Sequence, residues 1–205
     1  DKADDEAELD ARTFGNLIHD ALYEFGKSEY KDSSNAEQIE SFLVQQVQLI
    51  ADASYGPNPP TAVSIQIEQA VQRLRNFAAK QAARAAEGWQ IRYVEVGIDY
   101  DSQVLVGPVG NQLHLIGRID RIDFHPHRKC WAIWDYKTSD NAKHPVSVHF
   151  SKLEGWKDLQ LPLYLKVAAK LGITGDISLG YVSIPKQSAD LGFYLADFSA
   201  DQVLA

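Results

Sequence analysis

Gly117-Arg118-Ile119-Asp120-Arg121-Ile122-Asp123-Phe124, followed after a short break by Cys130-Trp131-Ala132-Ile133-Trp134-Asp135-Tyr136-Lys137, decides how this chain is read. Apolar, β-branched and aromatic residues dominate both runs, and His125-Pro126-His127-Arg128 lies between them. Strands are therefore expected over residues 113–124 and 129–138, with the turn at 125–128. A turn centred on His127 and Arg128 sets Asp120 opposite Asp135, with side chains about 5 Å apart on one face. Lys137 shares that face, roughly 6.6–6.8 Å further along. Two carboxylates this close repel unless a cation or a proton lies between them. Oxygen ligands in a partly hydrated site suit Mg²⁺ or Mn²⁺. Such an ion polarises a phosphate oxygen and lowers the pKa of a bound water, while an ammonium beside it neutralises growing charge. By themselves the two strands equally allow an ordinary hairpin with a surface salt bridge.

Upstream, Phe14, Leu17, Ile18, Ala21, Leu22 and Phe25 recur at helical spacing and predict a helix over 7–30. A second helix is expected over 36–54, before the loop Tyr55-Gly56-Pro57-Asn58-Pro59-Pro60. A third runs from Thr61 to Glu87 and stops at Gly88. From Trp89 to Tyr100 the pattern alternates as a strand. Ile91, Tyr93, Glu95 and Gly97 point one way and Arg92, Val94, Val96 and Ile98 the other. Downstream, a helix is expected over 155–171, in which Pro162 either kinks the chain or marks the true first turn. Strands follow over 176–184 and 191–198. Helices followed by β-β-β-α-β-β indicate a mixed α/β (α+β) fold with one central mixed sheet. The expected organisation is an N-terminal helical region, residues 1–88, integrated with a sheet-containing core, residues 89–205.

Composition narrows the function classes. The 205 residues are 45% hydrophobic, enough for one large domain. No run approaches the ~20 apolar residues of a membrane span, and the acidic start Asp1-Lys2-Ala3-Asp4-Asp5-Glu6 lacks a signal-peptide core. A cytoplasmic protein without membrane partners is expected. The formal net charge is −8, which argues against a strongly basic, non-specific nucleic-acid binder. Residues 1–90 carry 8 basic and 15 acidic groups and residues 91–205 carry 12 and 13, so the acidity sits in the helical part. Cys130 is the single cysteine, which excludes an iron–sulfur cluster or a four-thiolate zinc site and reads as a packed core thiol. The lack of methionine, and a capped helix beginning at Ser199 that stops at Ala205, are expected of a segment of a longer protein.

Asp120 followed by Asp135-Tyr136-Lys137 resembles the Asp…(Asp/Glu)-x-Lys core of the PD-(D/E)xK nuclease superfamily. Taken alone that motif is short. Gly15-Asn16-Leu17-Ile18-His19 resembles the Gly-x-x-x-His signature of its RecB-type branch, to which the nuclease domains of the RecBCD and AddAB helicase–nucleases belong. Gly117 to Asp123 resembles that branch's Gly-x-Ile-Asp-Arg-Ile-Asp strand, and Asp135-Tyr136-Lys137-Thr138 its Asp-Tyr-Lys-Thr. Gln160-Leu161-Pro162-Leu163-Tyr164 resembles its Gln-x-x-x-Tyr helix. Four signatures in the family's order span about residues 10–198. Ile119 replaces the proline in the superfamily's name.

The resemblance implies a restriction-endonuclease-like core and a metal-dependent deoxyribonuclease, using Mg²⁺ or Mn²⁺, of DNA repair or recombination. It implies Asp120, Asp135 and Lys137 as catalytic residues, and His19, Asp120, Asp135 and the Tyr136 carbonyl as metal ligands. Gln160 and Tyr164, at i and i+4 of one helix, would position the phosphate or Lys137; alone they read equally as a helix's polar edge. Gly15 leaves room for the His19 helix to approach the sheet. Glu95 stands as a group behind the ligands, Arg121 and Asp123 as structural ion-pairing residues, and His125, His127, His144 and His149 as solvated. DNA ends or single strands are the implied substrate, with an exonuclease the expected class. No P-loop is present, so a helicase partner would lie outside this chain. A catalytically silent DNA-binding or scaffolding module, and an interaction domain whose acidic hairpin is coincidental, are the competing functions.

Overall fold

The computed structural model describes residues 8–98, 105–106, 113–114, 116–140, 150–151, 155–156 and 160–196. Three helices come first: α1 Ala11–Lys27, α2 Ala36–Tyr55 and α3 Thr61–Ala86. The Asp10 carboxylate accepts the Thr13 N–H at 2.7 Å and caps α1, a contact that lowers its pKa. Asn35 caps α2 in the same way, accepting from the N–H groups of Glu37 and Gln38. α1 ends three residues before the expected boundary because Ser28 turns back on Phe25. Its N–H and its hydroxyl both donate to the Phe25 carbonyl. α2 stops at Gly56, whose φ of 77° suits a residue without Cβ. Leu17, Ile18, Ala21, Leu22 and Phe25 bury one stripe of α1, and α2 and α3 bury Ile39, Leu43, Val47, Leu74 and Phe77. The helices thus follow the apolar periodicity of the sequence.

The strands are β1 Gln90–Ile98, β2 Leu105–Val106, β3 Leu113–His114, β4 Gly117–His125, β5 Cys130–Lys137, β6 Phe150–Ser151, β7 Gly155–Trp156, β8 Asp176–Ser183 and β9 Gly192–Ala196. Helix α4, Gln160–Lys170, lies in sequence between β7 and β8. Five of the strands form a mixed sheet in the order β1-β4-β5-β8-β9. β4 and β5 are antiparallel and pair from Arg121 with Trp134 to His125 with Cys130, the register expected from a turn at 127–128.

Two elements depart from the periodicity reading. Leu113–His114 does not continue into β4 but pairs with β2 in a separate two-stranded sheet. Gly155–Trp156 is not helical but pairs with β6, and α4 spans Gln160–Lys170. Pro162 lies within α4, two residues after Gln160.

The chain divides into two compact units. One comprises Asp1–Gln90, Tyr136–Ala142 and Val182–Gly192; the other comprises Ile91–Asp135, Lys143–Tyr181 and Phe193–Ala205. The second unit has its own core, in which Leu161, Tyr164, Val167 and Ala168 of α4 meet Ile119, Ile122, Ile133, Leu179 and Tyr181 of the strands. Among the described residues no helix is long and apolar enough to cross a membrane.

Candidate active site

α4 covers β4 and β5 with its apolar face, and its first turn carries a polar edge onto the end of β5. Gln160 and Tyr164 stand one turn apart. The Gln160 side-chain amide donates to Asp135 Oδ1 at 2.6 Å and to the Tyr164 hydroxyl at 2.8 Å. That hydroxyl lies 3.1 Å from the same Asp135 oxygen and 3.2 Å from the Arg118 carbonyl. Its single hydrogen serves one acceptor at a time, so the Gln160 donor and the Tyr164 donor converge on one carboxylate oxygen. Asp120 and Asp135 are both buried. Burial, and then the negative charges of Asp135 and Asp120, push the Tyr164 phenol well above its ordinary pKa. Tyr164 accordingly stays protonated, as a donor to a carboxylate must. These contacts also choose between the readings of Gln160 and Tyr164 that the sequence left open: both face the Asp135 carboxylate.

Glu95 interrupts the expected alternation of β1. It sits at φ 52°, in the left-handed region that a non-glycine residue rarely adopts inside a strand. Ile91 is buried while Tyr93, expected on the same face, is 40% exposed. Here the Glu95 carboxylate makes an ion pair with Arg118 Nε, and one of its oxygens lies within 4.8 Å of an Asp120 oxygen. A buried Asp120 with a second carboxylate at that distance offers hard oxygen donors that fit a divalent cation.

The other unit carries His19, Tyr136 and Lys137. The His19 ring meets the Tyr136 ring edge-on, with centroids 5.6 Å apart and planes at 85°. Gly15, one turn before His19, faces Thr138, and a Cβ placed there would lie 3.2 Å from the threonine hydroxyl oxygen. α1 therefore comes close to the end of β5, as the glycine suggested. Lys137 is half-buried, and its carbonyl accepts the Ile184 N–H at 2.8 Å.

Arg121 and Asp123 do form an ion pair, but it is fully buried. Arg121 Nε and Nη2 reach the two Asp123 carboxylate oxygens at 2.6 and 3.1 Å, and the Trp134 indole N–H donates to Asp123 at 3.1 Å. Their i, i+2 spacing on one strand face was the available signal. His125 corrects the expectation of a solvated turn residue. It is buried, and its Nδ1 accepts the Arg128 N–H at 3.3 Å, closing the turn. His127 is exposed as expected, and His144 and His149 fall outside the described residues. Cys130, expected in the core, is only half-buried, at the first position of β5.

The model for the PD-(D/E)XK nuclease superfamily matches residues 1–203. No curated protein matches this sequence.

Proposed function

This chain belongs to the PD-(D/E)XK nuclease superfamily, and we propose that it is a divalent-metal-dependent deoxyribonuclease of the RecB-type branch. Nucleases of this superfamily use divalent metals. The observation that supports the reading most is the pair of donors on Asp135. Gln160 and Tyr164 hold one oxygen of a buried carboxylate, a cost without purpose in a plain hairpin but a requirement where ligand orientation matters.

In this reading Asp120, Asp135, the Tyr136 carbonyl and His19 would hold a Mg²⁺ or Mn²⁺ ion, with Glu95 beside Asp120. When bound, that ion supplies Lewis-acid polarisation of the scissile phosphate and a water of lowered pKa. The chain's own groups do the rest. Lys137 offsets negative charge that grows on the phosphate oxygens as the P–O bond breaks. Tyr164, kept protonated by burial and its acidic neighbours, holds Asp135 correctly turned. Arg118 pairs with the Glu95 carboxylate and fixes its place.

The proposed substrate is DNA, entered from ends or as single strands in the cytoplasm, with exonucleolytic digestion in repair or recombination. A helicase domain or subunit outside this chain is the proposed partner. The test is digestion of end-labelled single- and double-stranded DNA, linear against circular, across a metal series. Digestion of linear DNA alone with Mg²⁺ or Mn²⁺, abolished by EDTA and by Lys137→Ala, is expected. Wild-type cleavage by Lys137→Ala or Asp120→Asn defeats the proposal, and tight DNA binding without cleavage in any metal indicates a non-catalytic module.

A further inference from the structure

A guanidinium is buried where β5 leaves the sheet. Arg73, in the middle of α3, is only 7% exposed. Its Nη1 donates to the Thr138 carbonyl at 2.6 Å and lies 3.3 Å from the Ile184 carbonyl. Its Nη2 pairs with the Asp140 carboxylate at 3.0 Å, and the Phe14 ring lies 4.8 Å from the guanidinium carbon. Asp140 in turn accepts the Lys186 N–H at 2.8 Å. Burying this charge is costly, and the cost is offset only because both carbonyls and Asp140 are held in place.

The contacts hold two successive carbonyls, those of Lys137 and Thr138. The Lys137 carbonyl is held by the Ile184 N–H, the next carbonyl along the chain is held by Arg73, and Arg73 also reaches the Ile184 carbonyl. The ends of β5 and β8 are thus tied together immediately after the Lys137 Cα. A lysine ammonium on a four-carbon stem goes where its Cα and peptide planes send it. We propose that Arg73, backed by Asp140, is a positioning residue for Lys137: it fixes the backbone from which the ammonium reaches the reacting phosphate, without touching substrate or metal. The inference rests on the nuclease reading above and deepens it.

The test is a kinetic cycle on linear single-stranded DNA at saturating Mn²⁺. It combines Arg73→Gln, Asp140→Asn and Lys137→Ala with the double variants, each checked for a cooperative thermal transition. A displacement of the order of 1 Å at a reacting group costs up to about 10²-fold. Arg73→Gln is therefore expected to lower kcat about 10–100-fold with KM and Mn²⁺ affinity unchanged. Because Arg73 acts only through Lys137, Arg73→Gln should add no loss to whatever residual cleavage Lys137→Ala retains in single-turnover assays at high enzyme concentration. Wild-type kcat in a folded Arg73→Gln, or losses that multiply in the double variant, overturns the inference. Should Arg73→Gln fail to fold, Asp140→Asn decides. That side chain is 54% exposed, and its replacement should give a smaller kcat loss of about 3–10-fold with the same non-additivity, whereas unchanged kcat overturns the inference. If Lys137→Ala itself cleaves at the wild-type rate, the nuclease reading fails; if Lys137→Ala is inactive while Arg73→Gln is fully active, only this inference fails.

Discussion

Tyr164→Phe removes one oxygen and nothing else from the face of α4. In the folded chain that oxygen accepts from Gln160 at 2.8 Å and lies 3.1 Å from Asp135 Oδ1 and 3.2 Å from the Arg118 carbonyl. A hydrogen bond to a charged group is worth about 1.5–3 kcal/mol. Tyr164 divides its hydrogen between two acceptors, and Gln160 still holds Asp135 at 2.6 Å. The loss should therefore fall at the low end, about 1.4 kcal/mol, or tenfold in an equilibrium constant. Stability should change by no more than this, since the ring still fills its place among Ile133, Leu161 and Val167. Calorimetric titration with Mn²⁺ is the assay, followed by cleavage as a function of metal concentration. Metal affinity should fall about tenfold, the range seen when a group behind a ligand is removed, and saturating metal should restore most of the rate. Unchanged affinity with unchanged metal dependence would show that orienting Asp135 is not what Tyr164 does.

Alkaline stability should depend on the same hydroxyl. A phenol whose pKa is raised by folding loses its proton first in the unfolded chain, so stability falls as pH rises past its ordinary value of 10.0. Thermal transitions from pH 9 to 11 should decline less steeply in Tyr164→Phe than in the wild type. Gly180→Ala would place a Cβ 2.4 Å from the Tyr194 carbonyl oxygen and 2.6 Å from the Trp134 ring. Both neighbours are packed, so a loss of about 2–3 kcal/mol is expected in urea unfolding. Asp123→Ala strands the buried Arg121 charge and the Trp134 indole N–H. It should cost about 3–5 kcal/mol, measured by the same unfolding, far more than replacement of the exposed Asp190 by alanine.

The helices, the β4–β5 register and the four signature strings are local patterns, and the chain reveals them directly. The apolar stripe of α1 and the turn at 126–129 involve residues a few positions apart. Gln160 and Tyr164 were legible for the same reason, as one helix face whose partner strand carried its own motif. What stayed hidden depends on distant partners. Glu95 breaks the alternation of β1, and its carboxylate pairs with Arg118, more than 20 positions away. Arg73 looks like one basic residue in an Ala-, Gln- and Arg-rich helix until Thr138 and Ile184 arrive from 65 and 111 positions downstream. Gly155–Trp156 carries helix-compatible neighbours and still pairs as a strand with Phe150–Ser151, since pairing overrides weak local preference in so short a segment.

The central claim is that Asp120 and Asp135 form the seat of a divalent cation. Calorimetric titration of the wild type, Asp120→Asn, His19→Ala and Lys137→Ala with Mn²⁺ tests it most directly. The account predicts a binding isotherm for the wild type and for Lys137→Ala. It predicts affinity about tenfold or more weaker in Asp120→Asn and in His19→Ala. Absence of binding heat at mid-micromolar Mn²⁺, or one affinity shared by all four proteins, contradicts it.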